Sequence, residues 1–405
     1  MPRVSIRAAQ STSCASEVAM RIAVPLLGGK KWMGGYYYAR TFCQALRSDP
    51  SRPHEFVWLV PPEHEAFVPE LERDGFAVRR YRPLPNIIRK ASHLAGHRQV
   101  ALERAALVAH ADIVFPVTSS LGRRSGVPFL GWIVDFQHVH LPHFFSRAEI
   151  LNRDRAMHRM VAEAPHIVVS SQHAKRTLLE LWPRAASRVS VFRFPTQPDP
   201  DWYTSDPETT LTKYDIESEF IFLPNQFWIH KNHHDVFNAW ARLGKRAPML
   251  VCTGHTEDPR DPQHFNRLRA IVSSTGVEER IKFLGLIPRT DQIALYRTCR
   301  AVLNPSRYEG WSSTVEEARA LGKPLILSDI PIFREQAPTN TWFFHLDDPQ
   351  SLAELIERTQ TLPGGVNLSS EAAARASAAG RLQAYRESIH RALQTTARAG
   401  GMHSP

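Results

Sequence analysis

Short apolar runs alternate along this chain with longer stretches in which apolar residues recur every three or four positions. The runs Ile22–Leu27, Phe56–Val60, Ala111–Val117, Phe129–Val134 and His166–Ser170 are strand-sized, and the stretches Tyr36–Arg47, His64–Asp74, Ile87–Ala109 and Ile150–Glu163 carry helical spacing. Parallel strands need a crossover, so this alternation predicts β-α-β units. A second series follows Arg193: Phe220–Leu223, Met249–Thr253, Ile281–Gly285, Arg300–Asn304 and Pro324–Ser328. Between the two lies Phe194–Asp206, with Pro195, Pro198, Pro200 and three aspartates, which reads as a linker. The pattern predicts an α/β protein of two Rossmann-like halves with parallel sheets, divided as 20–197, a linker 198–212, 213–375 and a helical tail 376–400. The Ala- and Arg-rich tail, Ser370 to Gly400, is expected to break near Gly380. Two such halves enclose a cleft, and sheets of this kind bind ligands at the carboxyl ends of their strands.

At 405 residues, 43% apolar and 22% charged, the composition excludes a disordered, collagenous or disulfide-stapled chain. The cysteines Cys14, Cys43, Cys252 and Cys299 show no C-x-x-C spacing, against a cysteine-built zinc site and in keeping with a reducing compartment. No run approaches the ~18 apolar residues of a membrane-spanning helix; the longest, Val127 to Phe136, is strand-sized. Residues 1–19, rich in Ser and Arg with Glu17 their one acid, read as a disordered overhang or non-native start, with Met20 opening the first strand. Lys plus Arg number 50 against 40 Asp plus Glu, a formal charge of +10. Such a balance favours an acidic partner. The stretch Arg79–Arg98 concentrates it, with Arg79, Arg80, Arg82, Arg89, Lys90 and Arg98 and no acid; Ile87, Ala91 and Leu94 add an apolar stripe, the pattern equally of a basic amphipathic helix on anionic lipid and of an ordinary half-buried helix with a solvated face. No nucleic-acid recognition module accompanies the charge, so nucleic acid is not expected as a partner.

Four stretches could carry chemistry. In Asn304–Asp329, Glu309 sits in a loop after a strand and Glu317 in the following helix, with seven residues between them. Gly310 would let backbone approach a ligand, and the helix N-terminus offers N–H groups to an anion. A hydrolase pair wants its carboxyls ~5–10 Å apart, whereas eight residues along a helix span ~12 Å. The plain alternative is that Glu316 and Glu317 are solvated. In Phe220–Asn232, Asn225 and Gln226 follow a strand and Lys231 opens a helix, where a cation suits a phosphate. Near the start, Gly28–Gly29 and Gly34–Gly35 lie between a strand and a helix, without dinucleotide-fingerprint spacing. In Asp135–His143, Asp135, Gln137, His138 and His140 could hold sugar hydroxyls or move a proton, and His138, His140 and His143 could hold a metal; hydroxyl binding is preferred and no metal site is assigned.

Taken in order, PSRYEGWSSTVEEARALGKPLILSD, the preceding IKFLGLIPRTDQIALYRTCRAVLNPS, PNQFWIHKNH and DFQHVHLPHFFS resemble GT-B glycosyltransferases of family 4, the group 1 glycosyltransferases, and among them a bacterial surface-polysaccharide subgroup. The resemblance runs best from Phe220 to about Glu335. It implies a retaining transferase that moves a hexose, mannose-like or similar, from a nucleotide-sugar donor to a lipid-linked or glycan acceptor, without metal or other cofactor. It implies that Glu309 meets the donor sugar with backbone near Gly310 and Trp311, Glu317 the ribose, Lys231 the diphosphate and Leu286–Ile287 the base. Asn225 and Gln226 join the donor set, and Gly34–Gly35 approach the diphosphate from the other half. Two positions depart from the family pattern: Gln226 stands where an Arg is frequent, with Arg307 or another cation as the substitute or else a weaker phosphate contact, and Val134 where a His is frequent, with His138 as the candidate substitute. The implied setting is cytoplasmic, peripheral to the inner membrane face. The rival reading is a non-catalytic scaffold of the same fold, which would predict loss of Glu309, Glu317 or Lys231; all three are present.

Overall fold

The computed structural model describes residues 19–29, 33–49, 52–84, 99–204 and 206–399, with backbone alone at 398–399. The first sheet contains β1 (Arg21–Pro25), β2 (Glu55–Val60), β3 (Ala77–Arg80), β4 (Ile113–Val117), β5 (Phe129–Trp132), β6 (His166–Val169) and β7 (Val189–Val191), in the order β3-β2-β1-β4-β5-β6-β7. The second contains β8 (Phe220–Leu223), β9 (Met249–Cys252), β10 (Ile281–Phe283), β11 (Ala301–Asn304), β12 (Leu325–Ser328) and β13 (Thr341–Phe344), in the order β10-β9-β8-β11-β12-β13. Neighbouring strands pair in parallel throughout, as in β1 with β2 and β4, and β8 with β9 and β11.

Strands covered by helices on both faces must be apolar on both, and alternate residues divide between two cores. Ile22 and Val24 of β1 join one core and Ala23 the other. Ile221 and Leu223 of β8 face one side, Phe220 and Phe222 the opposite one. These continuous apolar runs are the ones the pattern predicts. β3, β7 and β13 escape it, because each is an edge strand of three or four residues, most of them partly exposed.

The C-terminal helix, Leu368–Ala399, ties the halves together. Near its start Glu371 forms a buried ion pair with Arg297 of the second half, Nε to Oε1 2.8 Å. Further on, Tyr385, Ile389, Ala392 and Leu393 enter the core of the first sheet beside Ile22 and Trp58. The expected break at Gly380 is absent; the helix runs through it. A glycine in an exposed helix costs ~1 kcal/mol, less than burying side chains such as Tyr385 and Ile389 returns, at ~1.5–3 kcal/mol for each large apolar group. The Pro-rich crossing segment is itself structured: Pro200–Tyr203 is a 3-10 turn whose Trp202 joins the second core, and Glu208–Lys213 is helical. In the basic stretch, Arg79 and Arg80 lie on edge strand β3, where Arg80 pairs with Glu65 at 2.8 Å. Residues 1–18 and 85–98, including Arg89 and Lys90, lie outside the described residues. None of the described helices is long and apolar enough to cross a membrane.

In each sheet the connections diverge at one point, β1/β4 in the first and β8/β11 in the second. Loops leaving such neighbours in opposite directions open a crevice beyond the strand ends.

Gly380 is exposed, and a Cβ there would meet nothing within 4 Å. Gly380→Ala is therefore expected to raise stability by about 0.5–1 kcal/mol in urea unfolding. A loss of stability would contradict a continuous helix at this point.

Candidate active site

The loops after β8 and β11 flank the divergence point of the second sheet, and this brings Lys231 and Glu309 together. After β8 the chain makes a 3-10 turn over Ile229–Lys231 and reverses at Asn232, whose φ of 54° is held by an Nδ2 hydrogen bond to Asp235 Oδ2 at 2.7 Å. After β11, buried Asn304 accepts from Asn225 Nδ2 and donates to Ser312 Oγ, both at 3.0 Å, which fixes the loop. Lys231 Nζ donates to Glu309 Oε1 at 2.5 Å, and Ser306 Oγ donates to the same oxygen at 2.7 Å. The two charged side chains are only 15% and 11% exposed, within a cleft of about 710 Å³ between the halves.

Three further ion pairs line this cleft. Arg289 Nη2 donates to Glu317 Oε1 at 2.7 Å, and its guanidinium lies 4.8 Å from the Trp202 ring centre and 5.7 Å from that of Tyr37. Arg260 is held by buried Asp258 at 3.1 Å, donates to His230 Nδ1 at 3.1 Å and reaches Gln137 Oε1 across the cleft at 3.4 Å. Arg153 Nη2 donates to Asp135 Oδ1 at 2.7 Å, and Arg153 and Arg260 both lie against the Phe145 ring, at 5.1 and 5.5 Å. Asn225 Oδ1 and Thr253 Oγ1 also belong to the lining; each is buried without a hydrogen-bond partner among the described residues, leaving an acceptor and a hydroxyl for a ligand.

The halves meet closely at the same place. Gly310 lies so near Val134 that a Cβ would stand 2.3 Å from the Val134 carbonyl oxygen. On either side, the Phe136 N–H donates to Tyr308 Oη at 3.1 Å and Trp311 Nε1 donates to the Phe194 carbonyl at 3.0 Å. The freedom expected of Gly310 toward a ligand is thus also used against protein.

Of the residues singled out from sequence, Glu309, Lys231, Glu317, Gly310, Trp311, Asn225, Gln226, Ile287, Gly34, Asp135 and Gln137 line the cleft. Four do not. His138 turns its buried ring away, with Nε2 3.0 Å from Asp154 Oδ1, so it does not stand in for the residue at Val134. His140 lies outside, 3.0 Å from Thr177 Oγ1 and stacked on Tyr308. Arg307 is drawn off by Asp347, at 2.9 Å, and by Asp235, so it does not compensate for Gln226. Gly35 is buried inside the helix Gly34–Arg47, one residue past the lining. Gln226 itself fixes a loop by accepting from the His255 N–H at 2.6 Å. Glu316 and Glu317, solvated in the plain alternative, are 2% and 8% exposed. Among the described residues no group of three or more His, Cys, Asp or Glu is gathered for a metal ion. Arg289 and Arg260 were not singled out. The signal for Arg289 is a cation beginning a helix just beyond a strand end; Arg260, in a D-P-R-D-P turn, has no periodic signal at all.

Residues 212–382 match the family described as "Glycosyl transferases group 1". Over 207 residues the chain is 21% identical to the O-antigen chain mannosyltransferase RfbU of Salmonella typhimurium, covering 51% of this chain and 54% of that one. Over 166 residues it is 34% identical to the serotype-specific mannosyltransferase WbdA of Escherichia coli, covering 40% of this chain and 20% of that one. The chain thus spans about half the length of the first relative and a fifth of the second. Among solved structures, Anabaena Alr3699/HepE in complex with UDP and glucose superposes with a TM-score of 0.66 at 18% identity, covering 93% of this chain and all of that one. The likeness identifies the fold as GT-B, two Rossmann-like halves facing across a cleft.

Two histidines beside Lys231 couple the site to pH. Burial, then the charges of Lys231 and Arg260, hold His230 well below the ordinary imidazole range. Burial, then His264 and Lys231, push His233 down to about 3. Both bind protons more readily when unfolded, where the pKa is about 6.5. Their contribution is therefore full above about pH 6.5 and is lost as pH falls toward about 3. Urea midpoints should decline from pH 7 to pH 4, as measured by fluorescence. His233→Phe, which can keep the 4.2 Å stack on Phe227, should flatten that decline; an unaltered slope would exclude His233 as a source.

Proposed function

We propose, from the premise that residues 212–382 belong to the group 1 glycosyl transferases, that this chain moves a hexose, mannose or similar, from a nucleotide sugar to a lipid-linked or glycan acceptor in surface-polysaccharide assembly, with retention of configuration. The observation that carries this reading is the Lys231–Glu309 pair at 2.5 Å on the floor of the cleft between the two halves. As the bond from the sugar to the diphosphate breaks, negative charge gathers on the departing oxygens. A pre-positioned ammonium and helix N–H groups stabilise that charge without reorganising. Lys231 fills the first role, and the start of the helix Ser313–Ala320, whose Ser312, Ser313 and Thr314 line the cleft, fills the second. Glu309 takes the sugar hydroxyls, Glu317 (oriented by Arg289) takes the ribose, and backbone at Leu286–Ile287 takes the base. Asp135 and Gln137 face the same space from the acceptor half. With the leaving group met by side chains and amides, the transfer we propose is metal-independent. The mannosyltransferase names of the Salmonella and Escherichia coli relatives support the hexose, and the UDP and glucose of the Anabaena structure support the donor class.

A panel of UDP- and GDP-hexoses, read by thermal stabilisation and nucleotide release, tests this. At least one donor should stabilise the wild-type protein. Glu309→Gln should keep nucleotide binding while turnover drops by ~10²–10³-fold, and Lys231→Ala should weaken nucleotide binding by about tenfold or more. Failure of every nucleotide sugar to stabilise the wild type would sink the reading. The cytoplasmic membrane face is the proposed setting, through Arg79–Arg98. Co-sedimentation with anionic liposomes should be lost on charge reversal at Arg89 and Lys90; unchanged binding would remove that stretch from the account.

A further inference from the structure

Trp311 is a wall of the cleft and also of a second cavity, of about 560 Å³, where the crossing segment, the C-terminal helix and both halves meet. Among the described residues, five cations line it: Lys175 from the helix Gln172–Leu181, Arg193 just before the crossing segment, Arg319 from the helix Ser313–Ala320, and Arg381 and Arg391 from the C-terminal helix. Only two carboxylates oppose them, and both are engaged. Glu335 holds Arg193 Nε at 2.8 Å and accepts from the amides of Gln172 and His173. Glu316 holds Arg319 at 3.2 Å and accepts from Gln336 Nε2 at 3.0 Å.

None of the remaining three cations forms an ion pair with an acid of the cavity among the described residues. Lys175 has no side-chain hydrogen bond or ion pair among the described residues. Among the described residues Arg391 reaches only Glu387 on its own helix, at 4.0 Å. Arg381 donates from Nη1 to Ser377 on its own helix, while its Nε is buried with no partner among the described residues. Burial, and then the neighbouring Arg319, lower the Arg381 pKa below the guanidinium range, outweighing the attraction of Glu316. Guanidinium groups crowded this way, with unused donors, match the oxygens of a phosphate.

We propose that this cavity is a second anion site, which takes a small phosphate-bearing molecule and links the two halves through Lys175, Arg319 and Arg381. Its volume suits a ligand larger than a bare ion. Because ligation draws on both halves and on Trp311, occupancy steadies the wall that the cleft shares.

Inorganic pyrophosphate, titrated calorimetrically into the full chain, tests the site. Lys231→Ala removes the cleft cation assigned to the diphosphate, while Arg153, Arg260 and Arg289 stay paired with their own carboxylates, so the test stands apart from the donor reading. In that background pyrophosphate should still bind, and adding Lys175→Gln with Arg381→Gln should weaken it by about tenfold or more. Arg391→Gln, at an exposed position that leaves the fold alone, should weaken it as well. Loss of all binding on Lys231→Ala alone, or residual binding indifferent to residues 175, 381 and 391, would overturn the proposal.

Discussion

The cleft depends on one steric constraint: the backbone of Gly310 lies against the Val134 carbonyl, with room for no side chain between them. A β-carbon there would have to push the halves apart. With the gap closed, Tyr308 and Trp311 on either side reach partners in the first half, at Phe136 and Phe194. Glu309 stands within this short braced segment. The loop that presents the central carboxylate is thus positioned by contacts from both halves, and its alignment with Lys231 is inherited from the way they fit.

The electrostatics follow the same economy. Four ion pairs line the cleft: Lys231 with Glu309, Arg289 with Glu317, Arg260 with Asp258 and Arg153 with Asp135. A partly buried charge without a partner would be costly, and pairing removes that cost while leaving each group oriented. A charged ligand then exchanges one partner for another instead of meeting bare ions. The cleft is therefore close to charge-balanced, and the chain's excess of +10 resides elsewhere, with the cavity behind Trp311 as one unbalanced cluster.

What was legible in the sequence was what local physics controls. Buried central strands such as β8 and β11 are unbroken apolar runs, and the polar loops at their ends carry Lys231 and Glu309. Edge strands such as β3 and β7 have no such run. Gly380 signalled a break, yet packing by Tyr385 and Ile389 in later turns overrides a weak local preference. Side-chain direction was the least legible property. His138 and Arg307 lie within one or two residues of cleft residues, but Asp154 and Asp347, 16 and 40 residues further along the chain, draw them away. Arg260 went unseen for the converse reason: its place opposite Gln137 arises only when the halves face each other.

The central claim is that the cleft holds a nucleoside diphosphate across Lys231, Glu309 and Glu317. A crystal structure with UDP or GDP bound tests it most directly. The diphosphate should lie within hydrogen-bond reach of Lys231 Nζ, with the ribose hydroxyls on Glu317 and the base against Leu286–Ile287. A nucleotide bound away from Lys231 and Glu317 would contradict the account.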